Sequence, residues 1–235
     1  MAETTTPSGL PRVDAASRDR LLKDVLKGVS RSFYLTLRVL PKNLREPIGL
    51  AYLLARTADT LTDRHRRAGF TGARLEGLVV LRSQLVGPAD ASVLRKLAAQ
   101  SMDGDPSPED RALFGSLVEC FALLESFDIA DREQVRWVVD KLTQGMEMDL
   151  TSFPAEDSGE LAALATGAHL DRYTYLVAGC VGEFWTRITV AHASTLKWWD
   201  VAQMSETGVR FGKALQLTNV LRDIPRDLRA GRCYL

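Results

Sequence analysis

Residues 48–63 read Ile-Gly-Leu-Ala-Tyr-Leu-Leu-Ala-Arg-Thr-Ala-Asp-Thr-Leu-Thr-Asp. An apolar run leads into Arg56, and then Asp59 and Asp63 stand four apart. Nothing in the run alternates with a period of two, so the stretch is predicted as a helix, opened by Pro47 and running from Ile48 to about Arg64. A spacing of four sets both carboxylates on one face, with Cβ atoms roughly 5–6 Å apart. The pattern recurs in residues 214–223, Ala-Leu-Gln-Leu-Thr-Asn-Val-Leu-Arg-Asp, with Asp227 four positions further on. There Gln216, Asn219, Asp223 and Asp227 follow at three, four and four, one helical stripe of oxygen-bearing side chains. Pro225 stands between the two acids and is expected to start a new turn or kink the helix.

Like charges four apart on a helix cost a few tenths of a kcal/mol. A divalent cation reverses that cost, because Mg²⁺ takes carboxylate oxygens and commonly bridges them to phosphate. The count alone proves little. With eighteen aspartates in 235 residues, 18 × 18/235 gives about one to two such pairs by chance. Context adds weight: acids at the end of buried helices sit at a cavity mouth, since burying them unpaired is costly. Each pair also has a guanidinium beside it, Arg56 three before Asp59 and Arg222 next to Asp223. Carboxylates with a metal and an arginine suit a phosphorylated, anionic ligand.

The rest of the chain reads as helix as well. Leu113, Leu117, Phe121 and Leu124 fall on one stripe, and Ser107-Pro108-Glu109-Asp110 has the form of a helix start. Further helices are predicted from about Asp131 to Asp149 and from about Glu206 to Asp223. Residues 160–199 are expected to hold more than one helix, since Gly179 and Gly182 lie inside. Residues 1–16 are polar with two prolines and are expected to form a flexible lead-in. Residues 17–235 are then expected to be a single all-α domain of seven or eight helices, with no internal repeat.

Thirty Lys and Arg balance thirty Asp and Glu, so the basic footprint of a nucleic-acid binder is absent. Cys120, Cys180 and Cys233 lie far apart without a C-x-x-C, which excludes a zinc ribbon and favours reduced, cytosolic thiols. Neither a signal sequence nor an uncharged span of about 20 apolar residues is visible.

Four segments in order resemble the squalene/phytoene synthase family, the head-to-head isoprenoid synthases. They are Ser30-Arg31-Ser32-Phe33; Asp59-Thr-Leu-Thr-Asp63, led by Arg56; Tyr173 to Gly182; and Leu215 to Asp223 with Asp227 and Gly231-Arg232. The resemblance implies an all-α isoprenoid-synthase bundle around a central apolar cavity. It implies Mg²⁺ on Asp59, Asp63, Asn219, Asp223 and Asp227. Ser30, Arg31, Ser32, Arg56, Arg222 and Arg232 would face diphosphate, and Phe33 belongs to the same substrate-binding segment. Tyr175 and Gln216 would line the reacting centre. The implied catalytic set is Tyr175, Arg56, Asp59, Asp63 and Asp223.

The implied reaction joins two farnesyl diphosphates head to head, through a cyclopropylcarbinyl diphosphate, to squalene. Phytoene, dehydrosqualene and hydroxysqualene are alternative products, and a non-enzymatic helical scaffold is the bland alternative. NADPH, needed only for squalene, rests on the resemblance alone, as no G-x-G-x-x-G follows a strand. A greasy product is compatible with a cytoplasmic protein loosely associated with a membrane. An elongating synthase or terpene cyclase fits less well: elongating enzymes favour D-D-x-x-D, whereas Ala58 precedes Asp59 here, and the hydroxyl of the cyclase triad is missing. Thr62 and Arg226 stand where the family often has Glu, and the family usually continues for several helices past the second motif. The chain is therefore expected to lack C-terminal helices.

Overall fold

The computed structural model describes residues 9–30, 33–63, 71–102, 105–156 and 158–235. Its contacts gather into two compact units, residues 1–61 with 79–139 and residues 62–78 with 140–235. Among the described residues, secondary structure is helical apart from one two-residue parallel pair, β1 (Ala162–Ala163) with β2 (Arg232–Cys233).

The first unit opens inside the expected lead-in. Asp14 caps α1 (Ala15–Asp19) by accepting from Ser17 N at 2.8 Å, and Leu10 is buried. The start of that lead-in, residues 1–8, lies outside the described residues. A π-helical turn (Arg20–Val25) carries α1 into α2 (Leu26–Ser30), followed by α3 (Phe33–Arg38). Next comes α4 (Lys42–Asp63), and Pro47 does not open it. The turn ahead of the proline closes on the Pro41 carbonyl, which accepts from Leu44 N at 3.1 Å and Arg45 N at 2.9 Å. Arg45 then donates to the Arg38 and Leu40 carbonyls, tying the end of α3 to that turn. Pro47 thus sits in the second turn, where it forfeits a single ladder bond. Leu50, Leu53, Leu54, Thr57, Ala58 and Leu61 form the buried stripe of α4 at helical spacing.

After α5 (Thr71–Val86) and α6 (Ala91–Ser101), Ser107 caps α7 (Pro108–Gly115) as its sequence predicts, accepting from Asp110 N at 3.1 Å. The apolar stripe from Leu113 to Leu124 is buried as expected, yet the helix breaks at Ser116 and resumes as α8 (Leu117–Ser126). Helix α9 (Ile129–Ser152) overruns the predicted range at both ends.

The second unit is built on α10 (Gly167–Thr174), a π-helical turn (Tyr175–Gly179), α11 (Cys180–His192) and α12 (Val201–Arg229). Helix α12 begins five residues before the predicted start, because Asp200 accepts from Ala202 N and Gln203 N. It also runs through Pro225 without ending. The proline and Leu221, whose carbonyl loses its partner, lie on the exposed side where water can replace the bond. Two helices meet where side chains are absent: a Cβ on Gly182 would collide with the Gly208 carbonyl, and one on Gly212 with the Ala178 carbonyl. Phe153, Tyr173, Val220 and Tyr234 form a hydrophobic core cluster of the unit.

Candidate functional site

On α4, Arg56 forms an ion pair with Asp59, one turn ahead of it. The Arg56 Nε is buried without a hydrogen-bond acceptor, and so is the hydroxyl of Thr60 on the same helix. The Nε atoms of Arg45, Arg74, Arg132, Arg136 and Arg232 are in the same condition, so it does not by itself single out Arg56. Asp63 closes the helix and is exposed.

On α12, Asn219, Asp223 and Asp227 share one continuous helix, and Asn219 donates to Gln216 Oε1 at 3.5 Å. Arg222 grips Asp223 bidentately, Nε to Oδ1 at 2.8 Å and Nη2 to Oδ2 at 2.7 Å. That bond holds the Asp223 carboxyl below the usual carboxylate range. Asp227 moves the other way. Burial raises it first, against the pull of Arg226, and the charges of Asp223 and Asp149 raise it further. Among the described residues, no three acidic, histidine or cysteine side chains already stand at cation-holding distance. The donor set nonetheless fits a hard cation. It offers carboxylate and amide oxygens on one stripe, and a dication would offset both the burial and the repulsion that raise Asp227. Arg222 is 65% exposed and can swing aside at small cost.

The remaining expected residues fall out differently. Ser30 is buried, and its hydroxyl donates back to the Leu26 carbonyl at 2.5 Å. Phe33 stacks on Tyr52 with ring centroids 4.9 Å apart. Arg31 and Ser32 lie outside the described residues. Arg232 donates to Asp149 and Glu156, each at 3.0 Å, with only 12% of its side chain exposed. Its guanidinium therefore ties the end of α9 to β2, alongside Tyr234, which donates to the other oxygen of Asp149. Tyr175 donates to Glu183 Oε2 at 3.0 Å, and burial together with that acceptor pushes the phenol up to about 12. Asp149, read from the sequence as a structural residue at a helix end, takes the bonds of Arg232 and Tyr234, whereas sequence reasoning passed over Thr60 and Glu183. Only Glu183 had a readable signal, its position two helical turns after Tyr175. Burial pushes the thiols of Cys120 and Cys180 up to about 12, which disfavours their thiolate forms.

A family model described as Squalene/phytoene synthase matches residues 26–235. A squalene synthase of Eremothecium gossypii is 29% identical over 213 residues, covering 89% of this chain and 44% of that protein. A presqualene diphosphate synthase of Rhodopseudomonas palustris is 31% identical over 205 residues, covering 87% of this chain and 57% of that protein. The chain thus spans about half the length of these relatives. A solved structure described as "The complex structure of TcSQS with ligand, E5700" superposes with a TM-score of 0.67 at 24% identity, over 90% of this chain and 55% of that one. The fold is the all-α isoprenoid-synthase fold. No helix among the described residues is long and apolar enough to cross a membrane.

Proposed function

Because the chain belongs to the squalene/phytoene synthase family, we propose that it is a prenyltransferase that joins two prenyl diphosphates head to head. The substrate we assign is farnesyl diphosphate and the product squalene, by way of presqualene diphosphate. Phytoene, dehydrosqualene and hydroxysqualene are the products of the same chemistry to be told apart. The observation that carries the reading is the stripe of Asn219, Asp223 and Asp227 on one helix, with the Arg222 guanidinium against Asp223 as an exposed donor. Such a donor takes an anionic oxygen, and the leaving group of an allylic diphosphate supplies one.

Asp59 and Asp63 on one helix, and Asn219, Asp223 and Asp227 on the other, would hold Mg²⁺. The ion would neutralise charge developing on the departing diphosphate. Arg56 donates to the same oxygens from a fixed position, so no reorganisation is needed as the carbon–oxygen bond breaks. Arg222 exchanges Asp223 for the diphosphate, keeping its charge satisfied throughout. Gln216 and Tyr175 line the organic part of the substrate with neutral polar atoms. Ser30 contributes by shaping its helix rather than by touching substrate, since its hydroxyl is spent on Leu26. Arg232 serves in the same indirect way by fixing β2.

The test is mass spectrometry of products from the full chain with farnesyl or geranylgeranyl diphosphate and Mg²⁺, with and without NADPH. Squalene only with NADPH supports the assignment in full, and the product without NADPH separates presqualene diphosphate from dehydrosqualene. Absence of any condensed product in every arm refutes it.

A further inference from the structure

Tyr175 opens the π-helical turn Tyr175–Gly179, and its ring lies along the helix over Gly179. A Cβ on Gly179 would stand 3.1 Å from Tyr175 Cδ2, 3.2 Å from Lys213 Cγ and 3.3 Å from Val209 Cγ1. Those distances are tighter than ordinary van der Waals contact, so the bare glycine is the seat on which the ring rests. Laid this way, the ring carries its hydroxyl to Glu183, which accepts at Oε2 over 3.0 Å. The other oxygen of Glu183, Oε1, is in an ion pair with Arg187, one turn further on. The Glu183 side chain is 14% exposed against 40% for Arg187, so the carboxylate is held between the two donors at the less exposed end of the pair. Turning it breaks one bond or the other.

We propose that Glu183 is the positioning residue for Tyr175, holding the phenolic proton in a fixed hydrogen bond so that the phenol presents lone pairs to its surroundings. This rests on the proposed function for its use in turnover, though not for its geometry. A phenol so held is an acceptor toward a cationic centre. It does not donate to the leaving diphosphate, a role that falls to the arginines. Its high pKa keeps the oxygen protonated and neutral across the working range; beyond burial, the hydrogen bond to Glu183 and then the charge of Glu183 are the reasons. The π-helical turn, the glycine and the carboxylate thus act together: the first two lay the ring down and the third fixes its rotation about the C–O bond.

The experiment combines fluorine NMR with kinetics on the full chain. The five tyrosines are replaced by 3-fluorotyrosine, whose phenol titrates nearer neutrality, and Tyr175→Phe identifies the fluorine line of position 175. In Glu183→Leu the titration midpoint of that line falls by about one pH unit. With farnesyl diphosphate and Mg²⁺, Glu183→Leu and Tyr175→Phe each lower kcat by roughly a hundredfold with KM changed less than about twofold, and the double variant is no slower than either. Glu183→Gln keeps an oxygen for the phenol but no charge. It lowers the midpoint by less than Leu does, since only the charge is lost, while holding kcat within about threefold of the parent, and it carries the test alone should the leucine variant fail to fold. An unmoved midpoint in Glu183→Gln, or a double variant whose losses multiply, overturns the proposal. If no prenyl diphosphate is turned over, the functional reading fails, and the fluorine titration by itself still decides whether Glu183 holds Tyr175.

Discussion

Helix α4 buries Leu50, Leu53, Leu54 and Ala58 completely ahead of Asp59, whereas α12 leaves Phe211, Leu215 and Leu221 exposed along the stretch that leads to Asp223. Both helices space their acids by four and set an arginine against the first, yet the acids sit in different surroundings. Arg56 keeps a buried nitrogen without an acceptor, while Arg222 spends two nitrogens on Asp223 in the open. Within α12 the two acids diverge further, Asp223 being lowered and Asp227 raised. Spacing puts carboxylates on a face. Burial and the nearest partner decide what each can bind there.

The largest effect separates the two helices by function. Asp59→Asn and Asp223→Asn should each reduce Mg²⁺-dependent diphosphate release at least roughly a hundredfold, with far-UV circular dichroism unchanged. A loss in only one of them breaks the equivalence of the two acid faces.

Next come the seats of the helices. Gly182→Ala drives a methyl into the Gly208 backbone, which cannot rotate away, and should cost about 3 kcal/mol in denaturant unfolding. On α4, Gly49→Ala meets only the Cδ2 atoms of Leu22 and Leu26, at 3.1 Å and 3.2 Å. Leucine ends can repack, so the expected loss is below about 1.5 kcal/mol in the same measurement. Equal losses would mean that the two glycines do the same job.

The smallest effect concerns Asp227. Its folded pKa lies above its unfolded one, so the folded chain binds the proton more tightly and stability falls as pH rises through the carboxylate range. Asp227→Asn should therefore raise Tm slightly at pH 7, and the gain should vanish near and below about pH 4. A gain that persists in acid would assign it to something other than charge.

Much of this was legible from local rules. Ser107 announced its helix, because a cap is satisfied by residues three positions away. The acid spacing was legible for the same reason. The two prolines were misread because their cost is a single bond, which the turn on Pro41 and solvent around Leu221 absorb. Asp149 and Arg232 were beyond reach in another sense. They stand 83 positions apart, and nothing near either one names the other as a partner. The same holds for the buried Nε of Arg56, since an unmet donor is visible only once everything around it has been placed.

The short parallel ladder has a bearing on how the second unit assembles. Ala162 pairs with Arg232 seventy positions later, so two strand residues close a loop that contains α10, α11 and α12. Such a closure is entropically expensive until the intervening helices have shortened the path. The clasp then fastens after those helices have formed, and Arg232 and Tyr234 hold it to Asp149. The acids near it on α12 gain their final environment only after the helix that bears them is complete.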